Sequence, residues 1–293
     1  FSGNFNDTGI YLTAVSVEPP VLNLSDKYIE VNLNGCDDSL KLSFEVSNTG
    51  SSDLIYSVKR DILKQKSKIA ILSTYSYYSE YDLKPNLLNT GIFDDIDILD
   101  CQNNTPTLQE LLKYDAVIVW SYDSYDDPVI LGNNLADYVD MGGGVVSALY
   151  ETGYSNSATN SYFLQGRWLS EQYFVISRVN YITGKIPTDS IINPNHPVFD
   201  GVKSIDFPYY CYRPNIKTLS SGSEMVATWA DGSPFIAEKT INGKRRIDLG
   251  FLPFSEEVTT SGWDHSSDIA LIIANSLEYV SRLNSLFNVN VYY

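Results

Sequence analysis

Three carboxylates crowd the segment Ser121-Tyr122-Asp123-Ser124-Tyr125-Asp126-Asp127. Asp123, Asp126 and Asp127 could hold Ca2+ together with carbonyls and water, because a hard cation takes several oxygen ligands. Their spacing is not that of an EF-hand loop, and an acidic solvated loop with helix-capping work accounts for the same residues. Tyrosines collect nearby: Tyr75, Tyr77, Tyr78 and Tyr81 after one apolar run, Tyr122 and Tyr125 after a second, Tyr150 and Tyr154 after a third. A Tyr ring offers an apolar face and a hydroxyl, which suits stacking on a sugar or contact with a protein. Glu151 beside Tyr150, with Asp123, could form a polar floor. Tyr75, Tyr78, Tyr122, Tyr150, Glu151 and Tyr154 are therefore the candidate ligand-binding residues. Apart from Ca2+, no cofactor is expected. The plainer alternative is a tyrosine-rich surface with no ligand.

Nucleophilic chemistry is harder to find. Tyr138 to Gly153 reads as a helix end, a glycine turn, a buried strand and a sharp turn, a place where many α/β enzymes carry a nucleophile. That turn, Leu149-Tyr150-Glu151-Thr152-Gly153, has no Cys, and no Ser lies between close glycines. Cys36, Cys101 and Cys211 are too few for a disulfide framework and contain no C-x-x-C. Cys101 and Cys211 either pair or remain buried thiols. His196 lies in Asn195-His196-Pro197-Val198, and His265, in Trp263-Asp264-His265, reads as part of the lead-in to a helix. No catalytic activity is expected from these groups.

The elements that position them fall into two regions. From Tyr11 to Val58 the period is two: Tyr28–Leu33 and Leu40–Val46 alternate as half-buried strands do, with Asn34-Gly35 and Asn48–Asp53 as turns. Residues 61–66 are polar and mark a boundary. From Lys68 the pattern changes to compact apolar runs alternating with helical stretches, the signature of a doubly wound parallel sheet. Strands are expected at Lys68–Ser73, Ile96–Leu99, Tyr114–Trp120 and Val145–Leu149. Helices are expected at Leu83–Thr90, Thr107–Lys113 (with its cap) and Pro128–Met141. The later half adds strands at Glu224–Trp229, Pro234–Glu238 and Arg245–Gly250, an Asn242-Gly243 hairpin turn and an amphipathic helix over Asp268–Leu283.

A net charge of −16 excludes nucleic acid and anionic membranes as partners, since both require basic patches. No run approaches the roughly 20 apolar residues of a membrane span. Phe1 stands first without a basic, apolar leader, which we expect to reflect a leader already removed. With 22 Tyr and two Met, the composition points to an extracellular or cell-surface protein.

Two resemblances follow. "SVEPPVLNLS…LKLSFEVSNTGSSDLIYSV" resembles the immunoglobulin-like modules of the abnormal-spindle/hydin and BACON type, which implies a small β-sandwich over residues 1–62 acting as a spacer or contact module. The alternating C-terminal segment 286–293 could complete it; alternatively, unpaired segments at both termini could add strands to a neighbour. "YDAVIVWSYD", "LADYVDMGGGVVSAL", "NPNHPVFDGV", "ATWADGSPFIAEKTINGKRRIDLGFLPF" and "IALIIANSLEYV", in that order, resemble the ThuA-like branch of the class I glutamine-amidotransferase-like superfamily. That implies a flavodoxin-like α/β domain over residues 67–285, with its active turn at Leu149–Gly153. The family's nucleophilic Cys and His-x-Glu pair have no counterpart there. The expectation is a non-catalytic structural, assembly or binding protein whose partner is another copy of itself or a surface protein. The alternative is a carbohydrate-binding or carbohydrate-processing protein that holds a glycan at the tyrosine-rich rim.

Overall fold

The computed structural model describes residues 21–24, 45–50, 57–64, 66–149, 161–177, 181–185, 188–281 and 285–292. The chain divides into two compact units, residues 1–65 with 283–293 and residues 66–282.

In the first unit, β1 (Leu22–Leu24) pairs antiparallel with β2 (Val46–Asn48), Leu22 opposite Asn48. The Asn48 carboxamide oxygen accepts from Gly50 N and Val21 N, which closes the Asn-Thr-Gly turn onto β1. β3 (Ser57–Lys64) pairs antiparallel along its whole length with the C-terminal strand Ser285–Tyr292. β3 runs into the polar stretch 61–66, and the two units divide within that stretch, between Gln65 and Lys66. The C-terminal segment finds its partner within its own chain. Residues 28–33 and most of 40–46, together with Cys36, lie outside the described residues.

The second unit is built on an eight-stranded sheet. Its strands are β4 (Ile69–Ser73), β5 (Ile96–Asp100), β6 (Ala116–Trp120), β7 (Gly144–Ser147), β9 (Thr188–Ile191), β11 (Ser223–Trp229), β12 (Pro234–Ile241) and β13 (Lys244–Leu249). The order is β5-β4-β6-β7-β13-β12-β11-β9. The first five run parallel, and β12, β11 and β9 continue the sheet antiparallel. A separate antiparallel pair joins β8 (Tyr181–Gly184) to β10 (Cys211–Pro214). β8, β9 and β10 carry no periodic signal and were not expected from the sequence.

Every residue of β4, β6 and β7 is buried, as the apolar runs require of strands covered on both faces. Ile69, Ile71, Ile118 and Val146 pack on one face with Ile272, Ile273 and Leu277 of the helix Ile269–Val280. Ala70, Leu72, Val117 and Val119 pack on the other with Leu131, Leu135 and Val139 of the helix Pro128–Asp140. This is the doubly wound α/β arrangement expected. A Cβ at Gly144 would lie 2.2 Å from the Val280 carbonyl oxygen, so glycine is needed where the last helix ends against β7. Asn242 and Gly243, both at positive φ, make the β12–β13 turn.

One polar network crosses this interior. Arg246 and Asp248 are completely buried, 3.0 Å apart. Asp248 also accepts from Val175 N and Ile176 N at 2.7 and 2.8 Å. Arg246 donates to the carbonyls of Val145 and Tyr173 and to Ser147 Oγ, and its guanidinium lies 4.3 Å over the Trp168 ring. β13 is thereby clamped to β7 and to the segment after Trp168. Among the described residues, no helix is long and apolar enough to cross a membrane.

Candidate functional site at the carboxyl ends of the parallel strands

The parallel strands β4, β6, β7 and β13 end on one rim, the edge at which open α/β sheets place ligands. The ladder continues past the strands: Ala148 N donates to Val119 O, and Leu149 N to Phe251 O. The loops after β4 and β6 are tied together by Thr74, whose buried hydroxyl accepts from Tyr122 N at 2.8 Å and Asp123 N at 2.9 Å. Ser73 Oγ lies 2.8 Å from Ser79 Oγ, both buried.

The helix after β4 begins earlier than the apolar spacing predicts. It runs as Ser76–Tyr78, a π-helical turn Ser79–Leu83, and Lys84–Asn89. The π turn buries Asp82, and insertions of this kind recur at functional sites. Its carboxylate accepts from Ser255 N at 2.7 Å, Ser255 Oγ at 2.5 Å and Asn86 Nδ2 at 3.0 Å. Burial raises the Asp82 carboxyl above its ordinary value, against the lowering effect of the Ser255 bonds. Asp82 thus pins the loop after β13 to the helix that carries the tyrosines.

That pin brings the rings together. Tyr75 lies 4.7 Å from Tyr78 and 5.3 Å from Tyr122, and Tyr78 lies 5.8 Å from Tyr122. Tyr77 and Tyr81 continue the strip, 4.8 Å apart. Tyr78 rests on Phe254 at 4.9 Å, which in turn meets Trp120 at 5.2 Å. Ring centroids this close leave no room for a ligand between them, so the cluster is a packed platform rather than a cage. Its outer rings are open: Tyr122, Tyr77 and Tyr81 are 47, 54 and 68% exposed. Burial, and then the neighbouring phenols Tyr122, Tyr75 and Tyr77, push the Tyr78 hydroxyl above its ordinary value. Beneath the platform, the fully buried Trp120 has an indole N–H with no acceptor among the described residues.

Tyr75, Tyr78 and Tyr122 are therefore assembled, whereas Tyr150, Glu151 and Tyr154 lie outside the described residues. Tyr125, counted with the rim in sequence, is buried on the opposite side of β6 among Leu131 and Trp168. The three aspartates have separate duties. Asp127 caps the helix Pro128–Asp140, accepting from Val129 N and Ile130 N. Asp126 accepts from Thr105 Oγ1, and only the Asp123 backbone is tied into the rim, through Thr74. Among the described residues they do not gather their ligand atoms as a metal group would.

Neither described thiol reaches the rim as a nucleophile. Cys101 and Cys211 are buried in the clusters on opposite faces of the sheet and are not bonded to each other. Burial pushes the Cys101 thiol far up, which disfavours a thiolate. His196 caps the turn Pro197–Phe199 through Nδ1 and places Nε2 3.3 Å from the Glu238 carboxylate, so it holds a loop against β12. His265 is exposed, with Nδ1 2.7 Å from Glu256 Oε1, and this carboxylate raises its imidazole above the ordinary value. Asp82, Ser255 and Glu256 were missed in sequence. Ser255-Glu256-Glu257 shortly after a strand end was the available signal, while Asp82 has none.

No family model matches the chain, and no curated protein matches it. Solved structures do. The cytoplasmic protein STM3548 from Salmonella typhimurium superposes with a TM-score of 0.50 at 14% identity, over 73% of this chain and 99% of that one. The α/β unit has the fold of that protein. The likeness covers fold alone, and it agrees with the flavodoxin-like architecture that the motif order implied. Two others fall just lower. The cytoplasmic protein STM1381 from Salmonella typhimurium LT2 has a TM-score of 0.48 at 12% identity, over 73% of this chain and 99% of that one. A protein from Parabacteroides merdae ATCC 43184 described as ThuA-like has 0.47 at 12%, over 76% and 92%.

Proposed function

We propose that this protein is a non-catalytic binding and assembly protein, extracellular or at the cell surface. Its ThuA-like, amidotransferase-like unit serves as a rigid scaffold, and its first unit, read as immunoglobulin-like, serves as a spacer. The observation that carries this reading is the strip of five packed tyrosines on the ligand-binding edge of the sheet, with its outer rings open to solvent. Rigid aromatics with a polar tip are the residues that anchor interfaces, because little side-chain entropy is lost when they are covered. The burial of Cys101 and Cys211 away from this edge supports a binding role over thiol catalysis.

Area decides how much the strip can do alone. Exposed portions of Tyr77, Tyr81 and Tyr122 amount to about 340 Å² if each side chain offers roughly 200 Å², well short of the ~800 Å² per partner of a stable interface. The rings would anchor a larger contact with a second copy of the chain, the occupant we favour. The same area matches one or two sugar rings, which favours a glycan as the second reading.

Sedimentation velocity across a concentration series separates them. Reversible self-association that disappears in Tyr77→Ser/Tyr81→Ser, with unchanged stability, is the expected result. A wild-type chain that stays monomeric throughout would rule out self-assembly, and a glycan array with the same variant would then decide the second reading.

A further inference from the structure

Beyond the tyrosine rim, the loop after β13 gathers a different chemistry. Glu256, Asp264 and His265 each offer a ligand atom, and these atoms all lie within 4.8 Å of one another. We propose that they form a binding site for a divalent transition-metal ion, for which Zn2+ is the representative.

The donor set selects the ion. Two carboxylate oxygens and one imidazole nitrogen suit zinc and its first-row neighbours, whereas Ca2+ and Mg2+ favour oxygen ligands alone. Donors at about 2.0–2.2 Å from a tetrahedral zinc are roughly 3.4 Å apart, so side-chain adjustments of about an ångström complete the site. Three protein ligands leave a fourth position for water, on the side where His265 is open to solvent.

The charge is already present and no fixed cation is paired with it. Among the described residues, neither Glu256 nor Asp264 has a Lys or Arg ion-pair partner; the basic group facing Glu256 is His265 itself. Glu257, next in the chain, adds to the negative field.

The ligands are also held in advance. Glu256 N donates to Trp263 O at 2.8 Å and Trp263 N to Phe254 O, which closes the loop into a bridge between Ser255 and Trp263. A Cβ on Gly262 would come within 2.1 Å of the Ser255 carbonyl carbon, so glycine permits this close approach. Ser266 N and Oγ occupy Asp264 Oδ1, and His265 N occupies Glu256 Oε2. Asp264 thereby keeps Oδ2 for an ion, and Glu256 Oε1 lies 2.7 Å from His265 Nδ1, where a metal ion would take the place of the proton the two share. Trp263, between Gly262 and Asp264, is fully buried and fixes the backbone from which Asp264 and His265 follow.

The test is Zn2+ titration of the full chain by calorimetry, paired with Co2+ absorption in the visible. We expect one ion per chain, a Co2+ spectrum showing nitrogen coordination, and at least tenfold weaker binding in His265→Ala and in Asp264→Asn. Glu257→Gln removes the same charge from the loop without removing a ligand and should bind nearly as wild type. Absence of saturable binding would overturn the site. So would binding that survives His265→Ala, or that Glu257→Gln weakens as much as Glu256→Gln, since either result describes a diffuse acidic surface.

Discussion

Two polar regions of the α/β unit make opposite use of the same kinds of side chain. In the interior, Arg246 and Asp248 are buried completely, and the carboxylate is met by a guanidinium and two backbone N–H groups. At the carboxyl edge of the sheet, Asp82 is equally buried but is met by Ser255 and Asn86, with no cation, and the rings around it face outward. The interior network is closed: its bonds join β13 to β7 and to the segment Tyr173–Ile176, so its role is to hold β13 beside β7. The edge is open. Its buried carboxylate positions a loop and a helix, and the groups they carry are left to meet something else. Both carboxylates are satisfied internally; what marks the edge as a site is the exposed aromatic rings that the Asp82 bonds position.

Breaking the closed network should have the largest effect. Asp248→Ala strands a guanidinium and two backbone donors in the core and should cost about 3–5 kcal/mol, read from urea unfolding. Arg246→Met with Asp248→Leu should recover much of that loss, because it removes both desolvated charges together. A double variant as unstable as Asp248→Ala would show that the pair contributes more than its own satisfaction.

The open region should respond less. Asp82→Ala leaves Ser255 N–H and Oγ–H without their acceptor, a loss of about 1–3 kcal/mol. Its distinguishing consequence is local: the near-ultraviolet circular dichroism of the tyrosine cluster should change while the far-ultraviolet spectrum does not. Equal changes in both would place Asp82 with the architecture instead.

The smallest effect concerns pH, at a third polar cluster on β12, beside the closed network. Glu238 is held below its ordinary value first by the His196 imidazole and then by the Tyr279 hydroxyl, with Arg245 adding to the attraction and burial opposing it. A carboxylate depressed in the folded state contributes stability above its unfolded value, about 4.3, and loses it as pH falls through the folded value. The gap between wild type and Glu238→Gln should be about 1 kcal/mol at neutral pH and should close in acid. A gap that widened on acidification would reverse the assigned sign.

Much of the architecture was legible in the chain because it rests on local rules. The apolar runs at Ile69–Leu72 and Ala116–Val119 can only be strands covered on both faces, and both are. Thr107 and Glu110 close a capping box, and Asp127 before Pro128 caps the next helix, each within a few residues of the backbone it serves. Asn242-Gly243 needs only its own dihedral freedom. Spacing after strand ends likewise foretold that Tyr75, Tyr78 and Tyr122 would share an edge.

What tertiary structure alone decided lies between residues far apart. Asp82 meets Ser255 across 173 positions, and Asp248 meets Val175 across 73. Glu256 converges on Asp264 and His265 because the loop folds back under backbone bonds that no periodicity announces. Tyr125 turns inward because the chain after β6 is pulled toward Ser161 and Cys101. A side chain's period reveals whether it is buried, but its partner depends on which strand lies alongside. That order was set when β13 entered next to β7, a choice made by packing over the whole sheet.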